Sequence, residues 1–252
     1  HTAMASGEEA DLEVFQRHLA ANLGDLLPAE AAEGVPAQEE ILSVAWIRRL
    51  LEAFILCQEE FRVVLAQARR RGALPAAAER LVAEFHERAV KALDVCNAAR
   101  DGVDQVRRLE RLADIAASVL LAPGEIHEGQ LRRARKAVSD LSVLLVDDTT
   151  AAAKRLAEEG KRKERRSCCG LLKEIYVLEK ATQKLADAID AAPIPLFGDR
   201  EADLREAAAE LSAVCAAMRE GLEPLEKQVR EVFHRIVRSR VEGLDSSMHN
   251  AD

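Results

Sequence analysis

Glu231 and His234 stand three residues apart, the spacing at which a helix offers a carboxylate and an imidazole to one metal ion. A di-metal centre in a helical bundle needs that pair on two helices and further glutamates on two others. The other histidines do not repeat it: His18, His86 and His127 follow Phe15, Ala83 and Gly124 at that spacing. The half-motif stands alone and reads as an ordinary surface pair. Nucleophilic catalysis needs a Cys or Ser held near a base. Of six histidines, His1 lies in a start that reads as a cloning-tag remnant and His249 in the tail. No G-x-S-x-G, Walker loop or G-x-G-x-x-G occurs. The expectation is a protein with no catalytic residues, no metal and no cofactor.

The sharpest local feature is a run of cations. Lys161, Arg162, Lys163, Arg165 and Arg166 flank a lone Glu164 and lead into Ser167, Cys168 and Cys169. Such a run attracts anionic lipid by about 1 kcal/mol per basic residue. Two adjacent cysteines are acylation candidates, and two anchoring signals hold where one does not. The plainer reading is a solvated connection into a helix whose first cysteine packs inward. Two further clusters are Arg132, Arg133, Arg135 and Lys136, and Lys227, Arg230, Arg235, Arg238 and Arg240. Either could face an acidic or phosphate-bearing partner, and either is explained more simply as a solvated helix face. Of these, Arg230, Arg235, Arg238 and Arg240 are the partner-binding candidates. Asn97 beside Cys96 reads as a half-buried polar group that fixes helix register. Trp46, the single tryptophan, reads as core or near-core because its neighbours are apolar.

The elements that must position these groups are long helices. From Leu204 to Ile236 an apolar or small residue recurs at alternating steps of four and three: Leu204, Ala208, Leu211, Cys215, Met218, Leu222, Leu225, Val229, Val232, Ile236. A mean period of 3.5 puts all ten on one helical stripe, which must lie against other helices. The rhythm returns at Leu171, Ile175, Leu178, Thr182, Leu185, Ile189, and at Val82, Phe85, Ala89, Ala92, Cys96, Ala99, Val103, Val106. Hydrophobic residues are 48% of 252 but aromatics only 3%, so Ala, Leu and Val must fill the core. That composition argues against a sandwich or barrel. The net charge of −8 argues against a nucleic-acid partner, which requires a clustered excess of cations. The five cysteines show no zinc spacing, and Cys57, Cys96 and Cys215, which lie in apolar helical stretches, read as small core residues in a reducing, cytoplasmic setting.

Breakers place the helices at about 8–26, 38–71, 75–121, 128–146 and 169–191, with a sixth capped by Asp199 and bent near Gly221 and Pro224. The fold class is all-α, an elongated antiparallel bundle of about six long helices. Residues 1–7 read as tag remnant or disordered, 8–245 as one domain with a polar connection at about 147–167, and 246–252 as a disordered tail. The heptads leave open whether the stripes close within one chain or between two.

Four blocks carry a resemblance. They are Leu42-Ser43-Val44-Ala45-Trp46-Ile47-Arg48-Arg49-Leu50-Leu51, Val90 to Ala98 (VKALDVCNA), Cys168 to Ile175 (CCGLLKEI) and Val229 to Arg240 (VREVFHRIVRSR). Together they resemble the plant BYPASS/ROH family, over about Leu12 to Leu244. The resemblance implies a non-enzymatic plant protein tied to root and shoot development and to restraint of a mobile signal. It also implies an exocyst subunit as partner, hence a link to polarised secretion, with a cytoplasmic location that extends to the periphery of plasma membrane or endomembranes. It further implies a longer central region with a hydrophobic stretch between the counterparts of Val146 and Lys161. Here that interval is short and polar, which reads as a deliberately removed loop or a shortened variant. The function expected is an adaptor binding proteins through helix faces. The alternatives are a peripheral protein binding anionic lipid through the 161–166 run and a carrier of a small-molecule signal.

Overall fold

A computed structural model describes residues 2–27, 43–72, 74–158, 173–192 and 198–249. Among these are six α-helices and no strand: α1 (Thr2–Gly24), α2 (Val44–Arg71), α3 (Ala76–Leu121), α4 (Glu128–Glu158), α5 (Lys173–Asp190) and α6 (Gly198–His249). The all-α expectation holds, and several ends move. α2 begins at Val44 rather than near Gln38. α4 runs twelve residues past Val146, because Ala151–Ala153 continues a helix-forming stretch. α6 starts at Gly198, so Asp199 sits in its first turn rather than capping it. Its helical backbone continues past Asp245, where a disordered tail was expected.

Local chemistry explains the ends. Pro75 precedes α3, where a missing N–H costs nothing, and its carbonyl accepts from Glu79 N at 3.0 Å. The chain leaves α3 through Gly124, whose φ of 95° is open to a residue without Cβ. At the start of α4, His127 N donates to the Gln130 side chain at 2.8 Å, half of a capping box. The same amide group donates to Val119 O of α3 at 3.3 Å.

The chain divides into two compact units. Unit 1 is 1–41, 45–101 and 224–252; unit 2 is 42–44 and 102–223. The divisions fall at Gly102 in α3 and Pro224 in α6, both inside continuous helices.

Unit 2 holds most of the fully buried side chains described. Leu109 and Leu120 of α3, Leu141 of α4, Leu178 and Leu185 of α5, and Leu204 and Leu211 of α6 are sealed from solvent. Ala113, Ala116 and Ala117 lie among them with no exposed surface, so small residues supply the close approach that aromatics cannot. α3 and α6 run antiparallel: Arg219 meets Glu110, while Arg205 donates to Ala122 O at 3.2 Å and to Gly124 O. The N–H of Val44 donates to the Glu174 carboxylate at 3.1 and 3.2 Å, which ties the first residue of α2 to α5.

In unit 1, α1 lies antiparallel to α2 through Arg71–Asp11 at 2.7 Å, His18–Glu60 at 3.2 Å and Trp46 Nε1 donating to Leu26 O at 2.9 Å. α3 returns antiparallel to α2 through Arg69–Glu79 at 3.1 Å. Phe15, Phe61 and Phe85 form a row across the three helices, with centroids 6.2 and 4.7 Å apart. α6 runs parallel to α2, with Glu59–Arg235 at 3.3 Å and Arg62–Glu242 at 3.5 Å. Its end touches α3 at Gly243, where a Cβ would meet the His86 ring at 3.1 Å.

All ten stripe residues from Leu204 to Ile236 are buried. The α5 stripe is buried from Leu178 to Ile189, and its Leu171 lies outside the described residues. The α3 stripe is buried at Cys96, Val103 and Val106, but Phe85 remains 37% exposed.

Candidate functional site

Burial of Leu225, Val229, Val232 and Ile236 fixes the rotation of α6 in unit 1. At about 100° per residue, the opposite face carries Lys227, Arg230, Glu231, His234 and Arg238. Those five and Arg235 line an open recess of about 410 Å³. Four cations therefore surround one carboxylate and one imidazole. The recess draws its lining from a single helix, so it is a shallow face and not an enclosing pocket.

The cations are not equivalent. Arg235 is 32% exposed in its side chain and turned toward α2. It bridges Glu59 at 3.3 Å and Glu231 at 2.8 Å, and Glu59 in turn holds Arg62 at 2.9 Å. The hydrogen bond that Arg62 donates to Glu59 and that carboxylate's charge, with Glu242 behind them, raise the Arg62 guanidinium above its ordinary value. Arg235 is thus a packing residue that fastens α6 to α2. Arg230 is mostly exposed and, among the described residues, pairs only with Glu226, one turn back, at 3.1 Å. Arg238 makes no ion pair with another described side chain. Arg240 has none either but sits about 200° around the helix from Arg238, away from the recess. The structure therefore brings Arg230, Arg235 and Arg238 together and leaves Arg240 apart.

The basic run Lys161, Arg162, Lys163, Arg165 and Arg166 and the pair Cys168 and Cys169 lie outside the described residues. In the α4 cluster, Arg132 pairs with Glu128 at 2.8 Å, Lys136 with Asp140 at 3.2 Å, and Arg135 donates to Ile189 O at 3.3 Å. That cluster is largely spent on its own unit. Cys96 and Cys215 are buried. Burial pushes the Cys96 thiol up. Burial first, then the nearby Glu110 charge, pushes the Cys215 thiol up to about 12. Neither thiol is poised to react. Trp46 and Asn97 are both half-buried. Among the described residues no group of three or more His, Cys, Asp or Glu could hold a metal ion. No helix among them is long and apolar enough to cross a membrane.

Two features escaped the reading of the sequence. The Glu59–Arg235 bridge joins residues 176 positions apart, and the contact of Gly243 with His86 joins α6 to α3. A glycine two turns past the end of an apolar stripe was the only trace of the second.

An all-α protein built on heptad stripes, with a charged face exposed on α6, is the class these observations define. Comparison with known proteins gives the family. The Protein ROH1-like family matches residues 2–155 and 149–247. The chain belongs to the ROH1-like family. It is 29% identical to Protein ROH1D of Arabidopsis thaliana over 94% of this chain and 88% of that protein. It is 25% identical to Protein ROH1A of the same plant, over 94% and 90%. The alignment with ROH1D spans 359 positions against 252 residues here, so that relative carries residues with no counterpart in this chain. The family match divides at 149–155, inside the interval where the resemblance implied a longer central region. No solved structure matches the chain.

Proposed function

We propose that this protein is a non-enzymatic adaptor of plant development and polarised secretion, binding partner proteins through exposed helix faces, with an exocyst subunit as the leading partner. The supporting observation is the recess on α6. Its cations Lys227, Arg230 and Arg238 point away from the core while the heptad stripe holds the helix rigid beneath them. A rigid helix presenting a charged face is a docking element, since its geometry is fixed before the partner arrives. The setting is cytoplasmic, with recruitment to the periphery of plasma membrane or endomembranes through the partner. The carrier alternative gains no support, because the recess is open and charged where a small signal molecule needs an apolar enclosure.

The test is affinity purification of the tagged chain from plant tissue, with mass spectrometry of the eluate. Exocyst subunits enriched over an unrelated helical bait are expected. Their absence, together with salt-sensitive pelleting on vesicles containing phosphatidylserine, would move the assignment to the lipid-binding alternative.

A further inference from the structure

We infer that the outer face of α6 from Lys227 to Val241 is the seat of an acidic partner helix, laid alongside it and matched to the spacing of Lys227, Arg230 and Arg238. The inference rests on the adaptor reading and adds to it the chemistry of the partner. Lys227 and Arg238 are eleven residues apart, about 16 Å along the axis at about 1.5 Å per residue. Carboxylates at steps of three or four and seven or eight on a second helix meet these cations in register. The face also carries Val237 and Val241, exposed on neighbouring turns, which supply a small apolar contact between the charges. Arg230 spends its charge on one exposed intrahelical pair, and such a pair is weak enough to be exchanged for a partner's carboxylate. Arg238 offers its charge directly.

The other occupants fit less well. A small ligand needs walls from more than one element to bury most of its surface, and this recess has one. A helix that lies on a bilayer presents a broad apolar face with Trp, Phe or Leu. Here the face offers two valines and no exposed Trp, Phe or Leu. Charge complementarity with an acidic helix remains.

The experiment titrates the full chain against a fluorescent three-heptad helical peptide with Glu at i and i+4 of each heptad and Ala or Leu between. A Lys-for-Glu version of the peptide is the control. Arg230→Glu/Arg238→Glu is the test variant. Arg230→Ala/Arg238→Ala avoids the added repulsion with Glu226, and helical circular dichroism verifies the fold of both. The expected result is binding of the Glu peptide that falls with salt, a weakening of about tenfold or more in both variants, and no binding of the Lys peptide. Equal binding by the variants, or no binding of the Glu peptide, overturns the inference. So does pelleting on phosphatidylserine vesicles that the same substitutions abolish, which would give the face to the membrane. Exocyst recovery from plant tissue that is undiminished in the variants leaves the adaptor standing and removes this docking site. Arginine-dependent peptide binding without exocyst recovery does the reverse.

Discussion

Leu211→Ala tests the packing on which the charged face depends. Leu211 lies in the middle of the α6 stripe and has no exposed surface. Glu110 sits opposite Cys215 and Arg219, and Ala122 opposite Arg205, so the turn of α3 facing Leu211 is the one bearing Ala113, Ala116 and Ala117. Those methyl groups are too short to swing into the space that a lost isobutyl group leaves. Leu→Ala at buried sites costs about 2–5 kcal/mol, and a site that cannot collapse falls in the upper part of that range, about 3.5 kcal/mol. Unit 2 has about 125 residues. At about 2.1 cal/mol/K per residue its unfolding entropy is about 0.26 kcal/mol/K, so its melting temperature should fall by roughly 13 °C. The measurement is a circular dichroism melt at 222 nm, with Leu81→Ala as comparator. Leu81 is 66% exposed, and its truncation should stay within about 0.5 kcal/mol of the parent. A Leu211→Ala shift below about 4 °C, or one matched by Leu81→Ala, would refute the account.

Five further outcomes are expected. Arg235→Ala should lower the melting temperature measurably by freeing Glu59 and Glu231, whereas Arg238→Ala should leave it unchanged; calorimetry on the two variants decides. Cys215 binds its proton more tightly folded than unfolded, so the stability it contributes is whole below its ordinary value of 9.0 and drains away as pH climbs toward about 12. Urea titrations at pH 8 and pH 10.5 should show that loss and Cys215→Ala should reduce it, while a thiol reagent at pH 8 labels Cys57 well before Cys96 or Cys215. The His86 imidazole is held below its ordinary value by burial first and by Arg69 next, against an opposing pull from Glu242, so folding stability falls as pH drops through 6.5. His86→Gln should remove part of that acid sensitivity in denaturant midpoints between pH 7 and pH 5, and Gly243→Val, which drives a side chain into the same ring, should speed proteolysis at the end of α6.

The heptad stripe of α6 was readable in full because each position repeats a demand that the next one shares, so no single neighbour decides the outcome. The α3 stripe was readable as a stripe but not as a buried one. Periodicity says that a face is apolar; whether other helices cover it depends on the rest of the fold, and at Phe85 the cover is partial. Helix ends shifted where competing tendencies were close in energy, as beyond Val146, where alanines carry the helix on past two aspartates. At the site, the exposed position of Arg238 followed from helical spacing alone, and the same spacing already separated it from Arg240. The structural employment of Arg235 did not follow, since Glu59 lies on a distant helix and nothing local names it as the partner.

The division of the chain also sets an order of assembly. Every residue of unit 2 has been synthesised by Glu223, whereas unit 1 waits for 224–252. Leu225, Val229, Val232 and Ile236 from that last stretch are most of what unit 1 buries among its described residues. On the ribosome, one body can therefore close while the other still lacks its keel. A premature stop near Pro224 would spare the first and leave α1, α2 and the start of α3 as nascent helices with oily flanks and nothing to grip, a natural target for chaperones.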